Sequence, residues 1–73
     1  MGRLRLYLYD GLPVKMERTV EGTLRVDAFD PELGIFCPDM SYRTLIMYDR
    51  DNLAHEVGKA EFEQAVMRHG GTP

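Results

Sequence analysis

Nucleophilic catalysis needs a thiol or hydroxyl beside a base, and the chain offers Cys37, Ser41 and two histidines. Cys37 follows the apolar pair Ile35-Phe36 and has no cationic neighbour in the sequence, whereas an activated thiolate lies beside positive charge. This setting indicates an ordinary packed thiol, and we assign no residue a catalytic role. A chain of 73 residues also leaves little volume for the pocket of roughly 300 Å³ or more that small ligands use. We therefore expect a protein that binds a partner and is not an enzyme.

Potential metal ligands are also few. A structural zinc site needs four Cys or His ligands, and the sequence contains only Cys37, His55 and His69. The segment Asp49-Arg50-Asp51-Asn52 carries oxygen ligands like the start of a calcium loop, but that loop needs Gly at its sixth position and a carboxylate at its twelfth. Alanines stand at both of those positions. We interpret the segment as a turn and expect no metal and no cofactor.

Residues suited to binding another macromolecule gather near the N-terminus. Tyr and Arg supply interface hot spots because they bury a large area and also form hydrogen bonds. The candidate protein-binding residues, on the predicted outward face of a first hairpin, are Arg3, Arg5, Tyr7, Tyr9, Lys15 and Glu17. The alternative is that Tyr7 and Tyr9 pack beneath a neighbouring strand or helix, in a sheet that is covered on both faces. The sequence leaves both interpretations open.

Composition is typical of one small globular domain over residues 1–73, with 44% hydrophobic and 29% charged residues. Nine basic and twelve acidic residues give a net charge of -3, which repels a nucleic-acid backbone unless the basic residues cluster. The longest stretch without a charged side chain, Leu33 to Pro38, is far shorter than the roughly 20 residues of a transmembrane helix. The N-terminus lacks the apolar run of a secretory signal, and a lone cysteine suits a reducing compartment. We expect a cytoplasmic protein that does not contact a membrane.

Strict alternation predicts the first strand. From Arg3 to Tyr9 the leucines lie on one face, and the Arg and Tyr side chains lie on the other. Asp10-Gly11 is a strong turn signal and Pro13 cannot donate in a ladder, so the second strand is predicted from about Val14 to Val20. The two strands are expected to form a hairpin.

The register of this hairpin is predicted from a loop of three residues, Asp10-Gly11-Leu12. That loop places Leu8 opposite Val14, so that apolar side chains are buried together. The other pairs in this register are Leu6 with Met16, Tyr7 with Lys15, and Arg5 with Glu17. The outward face of the hairpin then carries aromatic and basic groups.

The rest of the chain predicts further strands and one helix. The predicted strands are Thr23–Phe29, Ile35–Cys37, Tyr42–Tyr48 and Leu53–Val57, the last of which is a strand or the start of a helix. Apolar residues recur with helical spacing over Lys59–His69, and Gly70-Gly71 ends that helix. The expected fold is α+β: an antiparallel β-meander of four or five strands with one C-terminal α-helix packed on the sheet. The predicted core is Leu4, Leu6, Leu8, Val14, Met16, Leu24, Val26, Phe62 and Val66, and Gly71-Thr72-Pro73 is a predicted frayed tail.

Part of the first half resembles an RNA-binding family. The first motif of Sm-like proteins is similar to four parts of this sequence, over about a third of the chain: Val14-Lys15-Met16-Glu17, Glu21-Gly22-Thr23-Leu24, Asp30 and Leu33-Gly34-Ile35. The sequence lacks the family's N-terminal helix and the Asn that follows its apolar residue. This resemblance implies a small Sm-like or SH3-like barrel that binds single-stranded RNA, with tyrosines stacking on bases and arginines contacting phosphates.

A second resemblance covers the whole chain. Its length, its acidic balance, its opening strand Arg3–Tyr9 and a terminal helix around Phe62 and Val66 are similar to the small RNA polymerase-binding transcription regulators of Xanthomonas bacteriophages. The resemblance implies an inhibitor that acts in the host bacterial cytoplasm and binds the N-terminal region of the largest subunit of bacterial RNA polymerase. It also implies inhibition of initiation and modulation of termination, including antitermination. On this interpretation we expect a monomer that does not bind nucleic acid directly.

Overall fold

The computed structural model describes residues 3–71 as a five-stranded antiparallel sheet with two helices. The strands are β1 (Arg3–Tyr9), β2 (Leu12–Arg18), β3 (Leu24–Asp30), β4 (Ile35–Pro38) and β5 (Ala54–Glu56). The helices are α1 (Ser41–Met47) and α2 (Lys59–Arg68). The order across the sheet is β4-β3-β2-β1-β5, so the last strand returns to pair with the first. The predicted α+β class is confirmed, whereas the prediction of a single helix is wrong.

The hairpin between β1 and β2 turns through two residues, not three. Asp10 and Gly11 have φ values of 49° and 83°, and two successive positive φ angles are the type I′ geometry that matches the twist of a hairpin. Leu12 is therefore the first residue of β2 and lies opposite Tyr9. The second strand begins and ends earlier than predicted.

The register predicted for this hairpin is wrong by one residue, because the loop is one residue shorter. The observed pairs are Leu4 with Glu17, Arg5 with Met16, Leu6 with Lys15, and Tyr7 with Val14. A slip of one residue moves every side chain of one strand to the other face. Lys15 and Glu17 therefore share a face with the leucines of β1 and not with its arginines. The six candidate residues do not form one surface.

The helices cover opposite faces of the sheet, so the buried side chains form two clusters and not the single predicted core. On the α2 face the buried residues are Leu8, Phe29, Phe62, Ala65 and Val66. On the α1 face the buried residues are Val14, Met16, Val26 and Ala28, with Tyr7, Tyr9, Leu24, Tyr42 and Ile46 packed against them. Leu4, which was predicted to be buried, is 56% exposed.

Helix α1 occupies the segment predicted as a strand over Tyr42–Tyr48. The Asp39 carboxylate accepts a hydrogen bond from the Ser41 N–H at 3.1 Å, where the helix begins. Tyr42 and Ile46 are one helical turn apart, and both pack against the buried cluster. The β-branched and aromatic residues of this segment favour a strand only weakly, so the burial of one helical side determines the structure.

Helix α2 agrees with its prediction to within one residue, since it ends at Arg68 and His69 is its C-cap. His69 Nε2 lies 3.0 Å from the Gly11 carbonyl oxygen, which joins the end of the helix to the β1–β2 turn. Within residues 3–71, neither helix is long and apolar enough to cross a membrane.

The chain that follows α2 is held in place as far as Gly71. The Gly70 N–H donates to the Met67 carbonyl at 3.0 Å, and the Gly71 N–H donates to the Val66 carbonyl at 2.9 Å. These two bonds and the positive φ of Gly70 form a Schellman motif. The prediction of a frayed tail is therefore wrong at Gly71, while residues 72–73 lie outside the described residues.

The segment 53–57 contains the strand β5 and is not the start of a helix. The turn predicted at Asp49-Arg50-Asp51-Asn52 is confirmed. The Asp49 carboxylate accepts hydrogen bonds from the N–H groups of Leu53 and Ala54, each at 2.9 Å.

We expect Asp49→Ala to lower the free energy of unfolding by about 1–2 kcal/mol, because two N–H groups lose a charged acceptor. Urea denaturation measures this change. Asp51→Ala is the control, since Asp51 is an exposed residue of the same turn; equal losses in the two variants would contradict the role given to Asp49.

Candidate functional site

A groove of about 340 Å³ opens on the α1 face of the sheet, although the length of the chain predicts little volume for a site of this size. Four arginines line it: Arg3, Arg5, Arg18 and Arg43. The other lining residues are Tyr7, Met16, Leu24 and Met47. This site, the arginine groove, contains four of the seven arginines of an acidic chain, and none of these lining residues is acidic.

Strand pairing brings three of the arginines together. Arg3 lies opposite Arg18 in the β1–β2 ladder, and Arg5 lies opposite Met16. Arg18 in turn lies opposite Leu24 of β3. Because alternate residues of a strand point to the same face, these side chains all lie on the α1 face. The two-residue turn that sets the hairpin register therefore also assembles the floor of the groove.

Helix α1 supplies the remaining wall. Arg43 and Met47 are four residues apart, so they lie on one side of the helix, and both line the groove. Tyr42 and Ile46 lie on the adjacent side and pack against the sheet. The packing of one side of α1 thus fixes the position of Arg43.

The groove arginines have no ion-pair partner within the described residues. The one ion pair found over residues 3–71 joins Arg25 and Asp27, with 3.1 Å between Nε and Oδ2. Arg18 donates a long hydrogen bond of 3.4 Å to the Gly22 carbonyl. Positive charges that line one groove repel one another, so a bound anion would be stabilised among them.

Arg5 is held in its charged form by its neighbours. The Tyr7 side chain, and then the negative charge of Glu56, raise the pKa of Arg5 above its ordinary value. Arginine is charged throughout the physiological pH range in any case. We therefore expect binding in the groove to depend on salt and to change little around neutral pH.

Three of the six candidate residues line the arginine groove: Arg3, Arg5 and Tyr7. Tyr9 lies farther along β1, where its ring packs edge to face on Tyr42 with 5.6 Å between centroids. Lys15 and Glu17 lie on the opposite face, and Lys15 Nζ is 4.1 Å from the centroid of the Phe36 ring. Tyr7 and Tyr9 are half-buried on the face of the sheet that carries α1, where they pack against the buried cluster. This agrees with the alternative interpretation of these tyrosines.

The set of candidates predicted from the sequence did not include Arg18 or Arg43. Arg18 belongs to the basic N-terminal part of the chain, but it entered no predicted surface. Arg43 was placed in a strand, although Tyr42 with Ile46 and Arg43 with Met47 show the spacing of a helix with one apolar side. That spacing predicts a helix over this segment, with Arg43 beside its apolar side.

The environment of Tyr42 predicts a dependence of stability on pH. Burial raises the pKa of the Tyr42 phenol, and the charges of Asp39 and Tyr9 add to the shift. A group with a raised pKa in the folded state contributes stability that is fully present below its unfolded-state pKa, about 10 for Tyr, and is lost as pH rises through the folded-state pKa. We expect Tyr42→Phe to lose less stability than the wild type as pH rises from about 10 through the folded-state pKa of Tyr42, as measured by thermal unfolding. Tyr48→Phe, at a residue that is 74% exposed, should keep the wild-type dependence; an unchanged slope in Tyr42→Phe would contradict this assignment.

The residues considered for catalysis and metal binding lie on separate elements. Cys37 is half-buried on β4 opposite Ala28, whereas His55 is on β5 and His69 caps α2. Over residues 3–71, no three His, Cys, Asp or Glu side chains are placed to share a metal ion.

No protein-family model, curated protein or solved structure matches this chain.

Proposed function

We propose that this protein is a non-enzymatic regulator that binds host bacterial RNA polymerase, inhibits transcription initiation and modulates termination. The observation that carries the proposal is the arginine groove, which four arginines line and where no lining residue is acidic. Such a groove suits a carboxylate-bearing surface. The resemblance to small phage regulators implies that this surface belongs to the N-terminal region of the largest subunit of RNA polymerase.

The groove has the chemistry of a protein-binding site. A guanidinium group binds a carboxylate through two parallel hydrogen bonds. These bonds fix the orientation of the carboxylate and also neutralise its charge. Met16, Leu24 and Met47 place apolar surface beside the arginines. Methionine adapts its shape to a partner, and Arg and Met are both enriched at protein interfaces. The partner surface should therefore combine carboxylates with at least one apolar side chain.

Helix α1 and its flanks expose several apolar side chains, of which Met47 lines the groove. Met47 is 61% exposed, Leu45 is 42% exposed and Tyr48, which follows the helix, is 74% exposed. Met40, which precedes the helix, is 51% exposed. Apolar side chains that cluster next to polar groups on a surface are typical of interaction sites. The proposed interface thus includes α1 as well as the groove.

Single-stranded RNA is the second candidate partner, because arginines also bind phosphates. Recognition of single strands relies on aromatic faces that are open to stack on bases. Tyr7 and Tyr9 are half-buried and pack against the α1-side cluster, and the Tyr9 ring contacts Tyr42. The net charge of -3 also opposes approach to a phosphate backbone. These features favour a protein partner.

Affinity capture from a bacterial lysate tests the proposal. The tagged chain is immobilised, and the bound fraction is washed with and without nuclease. We expect RNA polymerase to be recovered in both cases, because the proposed contact is between proteins. Loss of polymerase on nuclease treatment would contradict direct binding and would favour the RNA alternative.

Transcription with purified components tests the consequence of binding. We expect the protein to reduce initiation by polymerase holoenzyme and to increase read-through at a terminator. Binding of the protein to polymerase without an effect on either step would agree with the proposed interface but contradict the regulatory function.

A further inference from the structure

The face of the sheet that carries α2 has a second groove, of about 620 Å³. Its floor is formed by Leu4, Leu6 and Phe36, and Phe62 of α2 lines one side. Leu4 is 56% exposed, and Leu6 and Phe36 are half-buried. Helix α2 therefore leaves apolar surface of the sheet open beside it.

Both lysines of the chain line this second groove, which we call the lysine groove. Lys15 Nζ is 4.1 Å from the centroid of the Phe36 ring. Lys59 is the first residue of α2, where a cation is unfavourable for the helix dipole, so helix stability does not explain it. Glu63 is the one acidic residue among the described residues that line the groove, and neither lysine is in an ion pair within residues 3–71.

We propose that the lysine groove binds an acidic amphipathic helix of a partner protein. Its apolar side chains would cover Leu4, Leu6 and Phe36, and carboxylates on its flank would pair with Lys15 and Lys59. An amphipathic helix in a groove is a common mode of peptide recognition, and the two lysines select acidic over basic segments. The sheet separates this groove from the arginine groove, so the lysine groove can be occupied whether or not the arginine groove is. This inference goes beyond the proposed function and does not depend on it.

The test uses the full chain and two fluorescein-labelled peptides of about 15 residues with the same leucine stripe, one flanked by glutamates and one by lysines. We expect fluorescence anisotropy at low salt to show at least about fivefold tighter binding of the glutamate peptide, because ion pairs replace like-charge contacts. Because the arginine groove also suits carboxylates, the lysine substitutions are made in a chain that already carries Arg5→Met and Arg43→Met. In that background Lys15→Met combined with Lys59→Met removes both lysine charges and keeps apolar stems, so the preference should disappear. The matched variant of the other groove, Arg5→Met with Arg43→Met, should keep the preference.

Several results would overturn the proposal. These are equal affinity of the wild type for both peptides, binding of neither peptide, and a preference lost only in the arginine variant. Binding of dodecanoate with no binding of either peptide would assign the groove to a small amphiphile instead. If circular dichroism shows the double lysine variant to be unfolded, Lys59→Met alone provides the test, because Lys59 is exposed. Polymerase is absent from this assay, so failure here is separate from failure of the proposed function.

Discussion

Arg5→Glu combined with Arg43→Glu is expected to weaken binding to bacterial RNA polymerase by about a hundredfold. The two residues come from different elements, β1 and α1, and both line the arginine groove. Reversal replaces two attractive contacts with carboxylates by two repulsive ones and leaves two of the four arginines in place. Titration of purified polymerase with the labelled chain measures the affinity.

The matched control for this prediction is Arg50→Glu combined with Arg68→Glu. It makes the same change in net charge at two exposed arginines that do not line the groove. We expect a change in affinity of less than about threefold for the control, because exposed charges outside the groove act mainly through long-range, screened interactions. Equal losses in the two double variants would show that net charge, and not the groove, governs binding. Circular dichroism of each variant checks that the fold is retained.

Gly71→Ala is expected to destabilise the fold by about 2–3 kcal/mol, which is a large part of the stability of a domain this small. A Cβ atom at this position would overlap the Phe29 ring. Phe29 is 2% exposed, and the rings of Phe36 and His69 lie 5.3 and 6.3 Å from it, so it has little room to move. The carbonyl of Val66 also holds Gly71 through the second bond of the Schellman motif. The free energy of unfolding in urea measures the loss.

Gly58→Ala is the control for the effect of glycine replacement itself. Gly58 precedes α2, has φ of -79°, and a Cβ atom there meets nothing within 4 Å. We expect its effect to be within about 1 kcal/mol, since reduced chain entropy in the unfolded state offsets a less favourable N-cap. A loss in Gly71→Ala no greater than that in Gly58→Ala would contradict the close approach of Gly71 to Phe29.

The elements with a clear period could be predicted from the sequence. The alternation over Arg3–Tyr9 and the helical spacing around Phe62 and Val66 gave β1 and α2 nearly to the residue. These patterns extend over at least two turns or several alternations, so a single residue does not change the interpretation. The α+β class followed from them.

The register of the first hairpin could not be predicted, because it depends on whether one residue belongs to the turn. Pro13 favoured a later start for β2, since it cannot donate in a ladder. In the structure Pro13 lies opposite Leu8, and pairing with β3 begins one residue later at Val14, so its missing N–H falls where β2 has no β3 partner. That single residue moved Lys15 to the other face and divided the predicted surface.

Helix α1 was missed for a different reason. Its seven residues include Tyr42, Thr44 and Ile46, which favour strands, and the helix is too short to be stable alone. It forms because Tyr42 and Ile46 reach a cluster that is assembled from residues distant in the sequence. The position of Arg43 in the candidate site therefore depends on tertiary packing, whereas that of Arg3 and Arg5 follows from local alternation.

We propose that the α1 face binds polymerase through the arginine groove. Titration of the ¹⁵N-labelled chain with unlabelled RNA polymerase, followed by amide line broadening in the NMR spectrum, locates the contact directly. We expect the earliest broadening over Arg3–Tyr7, at Arg18 and over Arg43–Met47. Broadening confined to α2 and β4, with those residues unaffected, would contradict it.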